Sequence, residues 1–177
     1  MINETIKKNG ITFGVLTGLF SIILTTAIYV IDLNLFTAWW ISIINIVIYI
    51  AIAIILLSKT KKELNGVFTF KEAFTTYFIS ALIGLVLSVG FNMILFNVVD
   101  PGAQDTIKEI TIKYMVSTME KFNAPAETVN AAIKDLQENN QFSVLGLLKG
   151  LLTNIIFVSI FGLIMAAFFK SKPSSQE

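Results

Sequence analysis

The chain has 177 residues, of which 55% are hydrophobic and only 14% are charged, and its formal net charge is +1. Soluble domains carry about 25% charged residues, so this composition argues against a water-soluble domain, and the near-neutral charge argues against a nucleic-acid partner, which needs a basic face. The chain contains neither Cys nor His. Disulfides, thiolate or imidazole metal sites and the commonest general base are therefore excluded.

Four long apolar stretches follow one another along the chain. A hydrocarbon core about 30 Å thick needs roughly 20 helical residues to cross it. The predicted spans are residues 11–31, 37–58, 73–99 and 150–169. The first is too long for a signal peptide and lacks a small-residue cleavage site, so we expect it to remain a span. The sequence predicts an all-α polytopic membrane protein, with residues 1–177 forming one membrane domain.

Lysine placement predicts the orientation of these spans. Lysines precede the first span, fill the loop between the second and third spans, and follow the fourth span; they are Lys7, Lys8, Lys59, Lys61, Lys62, Lys71, Lys170 and Lys172. The loop between the first two spans contains Asp32 and no lysine. Short loops rich in lysine stay in the cytoplasm, so we expect both termini there, with Trp39 and Trp40 at the outer interface.

Two local signals mark the start of the third span. Thr69 and Glu72 have the spacing of a capping box, in which each side chain bonds to the other residue's backbone N–H. Asn65-Gly66, just before it, is typical of a turn. The polar tail from Ser171 onward is predicted to be disordered.

The long third loop is predicted to form an amphipathic helical hairpin over residues 103–140, outside the cytoplasm. Asp100-Pro101-Gly102 is a turn signal, and apolar residues then recur at helical spacing on both sides of a break at Pro125. We expect the hairpin to cap the outer face of the bundle. Helices lying flat on the membrane surface are the alternative.

Small residues repeat at every fourth position on the first and third spans. The two sets are Gly10, Gly14 and Gly18, and Ser80, Gly84 and Ser88. This spacing lets helix backbones approach closely in lipid. We interpret both sets as packing faces within the bundle; a homodimer contact through the glycine set is the alternative.

Uncharged polar residues lie toward the outer side of the predicted spans. The candidates for a polar pocket are Thr25, Thr26, Asn45, Asn92 and Asn154. Hydrogen bonds between helices are the ordinary role of such residues, and a pocket beneath the hairpin is the alternative. No charged residue lies within a predicted span, which argues against an ion or proton pathway.

No motif for catalysis, cofactor binding or metal binding is present. The carboxylates lie in loops, where solvated helix faces are their expected role. We expect no enzyme activity, no cofactor and no metal site.

The layout resembles an uncharacterised bacterial family of four-helix membrane proteins, a domain of unknown function found mainly in Bacteroidetes-type bacteria. The matching segments are Leu35-Phe-Thr-Ala-Trp-Trp40, Phe68-Thr-Phe-Lys-Glu-Ala-Phe74, Phe91-Asn-Met-Ile-Leu-Phe-Asn97 with Asp100-Pro101, and Met119-Glu-Lys-Phe122 before Pro125. The resemblance implies an inner-membrane four-helix protein and brings no activity, cofactor or catalytic residue.

The resulting functional hypothesis is a non-enzymatic scaffold or accessory subunit of the inner membrane. Its expected partners are the lipid bilayer and either a membrane protein or further copies of the chain. A small oligomeric transporter or channel with an outer-half polar pocket is the alternative.

Overall fold

The computed structural model describes residues 2–171 and contains six α-helices in that range. They are α1 (Glu4–Ile31), α2 (Trp39–Glu63), α3 (Phe70–Ile94), α4 (Gly102–Lys121), α5 (Ala126–Glu138) and α6 (Val144–Phe169). A 3₁₀ helix, Leu33–Thr37, connects α1 to α2, and a π-helical segment, Leu95–Val99, continues α3. Residues 172–177, and with them most of the predicted tail, lie outside the described residues.

Four of the described helices are long and apolar enough to cross a membrane. They are Glu4–Ile31, Trp39–Glu63, Phe70–Val99 and Val144–Phe169. The prediction of an all-α chain with four such helices is confirmed, and we treat the chain as a multi-pass membrane protein. The first helix begins at Glu4 rather than near Ile11 because Asn3 caps it, with its Oδ1 accepting from the Thr5 backbone N–H at 2.8 Å.

Helix α3 is the central helix of the bundle, packing against α1 on one side and α6 on the other. α1 and α3 run in parallel, because Gly10 lies against Ile79 and Gly18 lies against Leu87. α2 and α6 run in the opposite direction. The two ends of the bundle are therefore a lysine-rich end, where α1 and α3 begin, and a hairpin end, from which α4 and α5 emerge.

The lysine-rich end is closed by a packed apolar cluster. Its buried members come from α2, the α2–α3 loop, α3 and α6; they are Ala53, Leu57, Phe68, Ala73, Met165 and Ala166. Polar contacts join α1 to α2 at the same end: the Asn9 amide donates to Thr60 Oγ1 at 3.2 Å and to Glu63 Oε2 at 2.7 Å. These hydrogen bonds offset the free-energy cost of removing the polar groups from water.

The end of α6 is tied to the loop between α2 and α3. The Ser171 backbone N–H donates to the Phe68 carbonyl at 2.7 Å, and the Phe68 N–H donates to Ser171 Oγ at 2.8 Å. Lys61 Nζ donates to the Phe169 carbonyl at 3.0 Å. The prediction of disorder was wrong for Ser171, because this pairing satisfies backbone groups at the end of a helix.

Both local signals before α3 are confirmed. Thr69 and Glu72 form the capping box, with the Thr69 N–H donating to Glu72 Oε2 at 2.8 Å and the Glu72 N–H donating to Thr69 Oγ1 at 3.2 Å. Asn65 and Gly66 have positive φ angles of 55° and 81°. That left-handed backbone, which Gly and Asn adopt most readily, reverses the chain between α2 and α3.

Candidate functional site

The two halves of the bundle differ in how tightly α2 and α6 pack. All buried residues of α2 lie between Ala53 and Thr60, and those of α6 are Gly162, Met165 and Ala166. From Trp39 to Ile52, and from Val144 to Phe161, no residue is buried. α2 and α6 therefore meet at the lysine-rich end and separate toward the hairpin end.

A cavity of about 160 Å³ lies where α2 and α6 separate. It is lined by α3 from Tyr77 to Ser88 and by α2 from Tyr49 to Leu56, with Thr17 from α1 and Val158 from α6. The eleven-residue step from Tyr77 to Ser88 is about 16 Å along the helix axis, so the cavity is a long slot. It contains no charged residue in its wall.

Two of the five hydroxyl-bearing residues at this slot have hydrogen bonds in the structure. Ser88 Oγ pairs with Ser21 Oγ at 2.7 Å, and Thr17 Oγ1 donates to the Phe13 carbonyl at 2.7 Å. Ser80 is only 4% exposed and lines the slot, and among the described residues its hydroxyl has no hydrogen-bond partner; the Tyr77 hydroxyl at the same slot has none either. The slot thus presents a mostly apolar wall with a few hydroxyl groups.

The hairpin end is organised around the turn that follows α3. Asp100 joins two elements, since its Oδ2 accepts from the Tyr29 hydroxyl at 2.8 Å and its Oδ1 accepts from the Ala103 N–H at 3.1 Å. On the neighbouring connection, Asp32 caps the 3₁₀ helix. The backbone and side-chain N–H groups of Asn34 bond to the Asp32 carboxylate and hold its pKa below the usual value.

The π-helical segment creates the acceptor that anchors α4. The Asp100 N–H bonds to the Leu95 carbonyl at 2.8 Å, five residues back, instead of to Phe96. The free Phe96 carbonyl accepts a hydrogen bond from Gln104 Nε2. Gln104 Oε1 in turn accepts from Asn140 Nδ2 at 2.6 Å, which connects α4 to the start of α6. Single-turn π segments are frequent at functional sites in helices.

An aromatic cluster packs beneath this polar junction. Phe96 is fully buried, with its ring centroid 4.5 Å from that of Phe142, 6.0 Å from Phe36 and 6.5 Å from Tyr29. The edge-to-face and tilted arrangements are those that aromatic quadrupoles favour. The cluster joins α1, the 3₁₀ helix, α3 and the loop before α6.

Helices α4 and α5 form a hairpin whose buried residues all lie at its base. Lys108 Nζ donates to the Gln137 carbonyl at 2.9 Å, so the two helices lie antiparallel. Ala103, Gln104 and Ile107 are buried, but no residue from Lys108 to Glu138 is. At the far end, Asn123 turns the chain with a φ of 52°, and Phe122 beside it is 81% exposed.

The five polar candidates are not gathered at the slot. Thr26 Oγ1 donates to the Ile22 carbonyl and Asn154 Nδ2 donates to the Gly150 carbonyl, each within its own helix, and both residues are exposed. Thr25, Asn45 and Asn92 are half-buried, and Asn45 Oδ1 is buried without a partner in the described part of the chain. None of the five lines the 160 Å³ cavity. A shared pocket stays a prediction.

The small-residue candidates are brought together between α1 and α3. A Cβ on Gly14 would lie 2.7 Å from Ile83 Cβ and 2.8 Å from the Ser80 carbonyl oxygen, and one on Gly84 would lie 3.0 Å from Thr17 Cγ2. Ser88 meets Ser21 at the same interface. The glycine face of α1 is thus occupied by α3 of the same chain.

Several residues at these sites gave no distinct signal in the sequence. Asn9, Gln104 and Asn140 bond to partners distant in the chain, and the slot is lined by ordinary apolar and aromatic side chains. The sequence predicts Asp100 as part of a turn and gives no sign of its hydrogen bond to Tyr29. Within residues 2–171, no group of three or more acidic side chains is placed to hold a metal ion.

Comparison with curated proteins and with solved structures found no match. A family model described as a protein of unknown function, DUF4199, matches residues 12–171. The match runs from the third turn of α1 through the α4–α5 hairpin to Ser171, so it covers most of the chain. The chain therefore belongs to the DUF4199 family of proteins of unknown function.

Proposed function

We propose that this protein is a non-enzymatic scaffold or accessory subunit of a bacterial inner membrane, and that hairpin α4–α5 is the arm that contacts a membrane-protein partner. The observation that carries this proposal is the exposure of the arm. Phe122 at its tip is 81% exposed, while only the first turns of α4 are buried in the bundle. A large aromatic side chain held away from a domain is a common anchor at protein interfaces.

The charge of the arm supports a protein partner over a lipid surface. Residues 103–140 contain six acidic side chains and four lysines. Anionic headgroups attract basic segments and repel acidic ones. An arm with a net negative charge and an exposed apolar tip is therefore better suited to a protein groove than to lying flat on an anionic bilayer.

The lysines support an arm on the extracytoplasmic side. Seven described lysines lie at the end of the bundle opposite the hairpin; they are Lys7, Lys8, Lys59, Lys61, Lys62, Lys71 and Lys170. Lysine-rich short flanks face the cytoplasm. Both termini are then cytoplasmic, and α4 and α5 project from the outer face.

Orientation is testable because the chain has no cysteine of its own. Single-cysteine variants Ser117→Cys, on α4, and Asn3→Cys, before α1, are treated with a membrane-impermeant maleimide in intact cells. We expect Ser117→Cys to be labelled and Asn3→Cys to react only after the membrane is permeabilised. The reverse pattern would place the arm in the cytoplasm and refute this part of the proposal.

The partner is tested by photo-crosslinking from the tip. A benzophenone amino acid at Thr118, one turn before Phe122, is activated in native membranes, and the products are identified by mass spectrometry. We expect one discrete protein adduct that disappears when Phe122→Ser is added. The matched control carries the crosslinker at Ile156, which is 62% exposed on α6, and should give a different pattern. Adducts to lipid alone would contradict the proposal, and adducts only to a second copy would favour an oligomer.

A further inference from the structure

We propose that α6 is a lever that couples the position of the α4–α5 arm to the width of the slot between α2 and α6. Its pivot lies at the lysine-rich end of the bundle, and its other end is tied to the base of the arm. The coupling does not depend on which partner the arm contacts. Three features of α6 support it: a tight pivot, a tied end, and a slot along the side that faces α2.

The pivot is a short, tightly packed stretch near the end of α6. Gly162 lies so close to α3 that a Cβ there would be 2.8 Å from Cδ1 of the Tyr77 ring. Met165 and Ala166, about one turn further on, are also buried. Close packing of this kind fixes the position of one end of a helix, while the direction of the helix is set by contacts elsewhere.

The part of α6 before the pivot is held loosely. From Val144 to Phe161 no residue is buried, and this stretch is about 27 Å long at about 1.5 Å per residue. Val158 borders the slot, while Ile156 beside it is 62% exposed. Segments with few buried contacts open and shift at a lower free-energy cost than packed ones, so this stretch is the part of α6 that can move.

The start of α6 is joined to the base of the arm through the loop that precedes it. Asn140 Nδ2 donates to Gln104 Oε1 on α4 at 2.6 Å, and Asn97 Nδ2, on the π-helical segment, donates to the Phe142 carbonyl at 2.9 Å. The loop folds tightly onto the first turn of α6, since a Cβ on Gly146 would collide with the Asn140 carbonyl oxygen. A shift of α4 is therefore transmitted to the start of α6.

The direction of the motion follows from the shape of the slot. Its volume of about 160 Å³ is spread over about 16 Å of helix, so the slot is thin. A small shift of α6 brings Val158 toward Tyr49 and Ile52 on α2. Helix association in lipid is driven by close van der Waals packing. Released from the arm, α6 should therefore settle toward α2 and close the slot.

Pairs of spin labels test the coupling, because the chain has no cysteine and only introduced ones react. The hairpin-half pair is at Val47 on α2 and Leu152 on α6, and the reference pair, at Ser58 and Phe168, lies in the lysine-rich half; all four side chains are exposed. Distances are measured by pulsed electron paramagnetic resonance in lipid nanodiscs. Asn140→Ala should shorten the hairpin-half distance by about 2 Å, the scale of helix shifts in proteins, and leave the reference distance unchanged.

Two further variants separate the tie from a local disturbance. Gln104→Ala removes the same hydrogen bond from the α4 side, so it should give the same shortening. Asn139→Ala is the matched control, because the Asn139 amide donates back to Asp135 in α5, and it should change neither distance. The proposal fails if Asn140→Ala or Gln104→Ala leaves the hairpin-half distance unchanged. It also fails if both label pairs shift equally, as general loosening of the bundle would cause.

A filled slot should block the motion. Ala81→Phe places a bulky side chain in the slot, so adding Asn140→Ala to it should no longer shorten the hairpin-half distance. Val158→Phe is a second slot-filling variant if the first does not fold. In the control background Ile156→Phe, where the new side chain faces lipid, Asn140→Ala should shorten the distance as in the wild type. Shortening that persists in the slot-filling backgrounds would show that α6 does not move into the slot.

Discussion

The lysine-rich half and the hairpin half of this bundle are built from the same four apolar helices, yet they are held together differently. In the first, α2 and α6 converge on α3, and Asn9, Thr60 and Glu63 connect α1 to α2. In the second, α2 and α6 diverge around a slot, and the contacts come from a turn, a π-helical segment and an aromatic cluster. Apolar composition therefore places helices in a membrane but does not decide how closely they pack.

The largest expected loss in the free energy of unfolding comes from a substitution in the α1–α3 contact, which runs through both halves. Gly14→Leu forces a side chain into space where even a Cβ would lie 2.8 Å from the Ser80 carbonyl oxygen. We expect a loss of about 3 kcal/mol in the free energy of unfolding, measured by denaturation in detergent. The matched control is Gly90→Leu on α3, where a Cβ meets nothing within 4 Å. Equal losses in the two variants would refute this account of the interface.

A smaller loss in the free energy of unfolding is expected from a substitution at the lysine-rich end. Asn9 is 2% exposed, and its amide donates to the Glu63 carboxylate at 2.7 Å. Asn9→Ala should cost about 2 kcal/mol, the range for a hydrogen bond to a charged group. Glu63→Gln keeps an oxygen acceptor and should cost less in the same unfolding measurement. A larger loss for Glu63→Gln than for Asn9→Ala would show that the Asn9 amide is not what stabilises this end.

The smallest effect on global stability is expected at the hairpin end. Gln104→Ala removes the bonds to the Phe96 carbonyl and to Asn140, and should cost about 1 kcal/mol. The change should be local, so amide hydrogen exchange should become faster in α4 and α5 and stay unchanged in α1 and α3. Gln137→Ala is the control, because only the backbone carbonyl of Gln137 accepts from Lys108. Unchanged exchange in α4 would mean that Gln104 does not anchor the hairpin.

Features that depend on a few consecutive residues could be predicted. The capping box needs only Thr69 and Glu72 three positions apart, and the turn before it needs only Asn65 and Gly66. The helical stretches within the third loop followed from the spacing of apolar residues and the break at Pro125. Each of these is decided by local backbone geometry, which the sequence expresses directly.

Features that join distant residues could not be predicted. The Asn9–Thr60 pair spans 51 positions, and the Gln104–Asn140 pair spans 36. The Phe96 carbonyl is free to accept from Gln104 only because α3 changes to π-helical hydrogen bonding at Leu95. The five polar candidates were chosen by depth along each span, but the direction in which a side chain points around its helix depends on how the helices pack.

The sequence by itself determined that the chain belongs in lipid and that its spans are helical. Long uncharged stretches are stable only in lipid, and a spanning backbone must satisfy its own hydrogen bonds. The tertiary structure alone decided that the small residues of α1 and α3 face each other and that α2 and α6 separate around a slot. The physical reason is that lipid contacts one apolar helix face about as well as another. The choice of contacting faces is then made by close packing and a few hydrogen bonds between residues far apart in the chain.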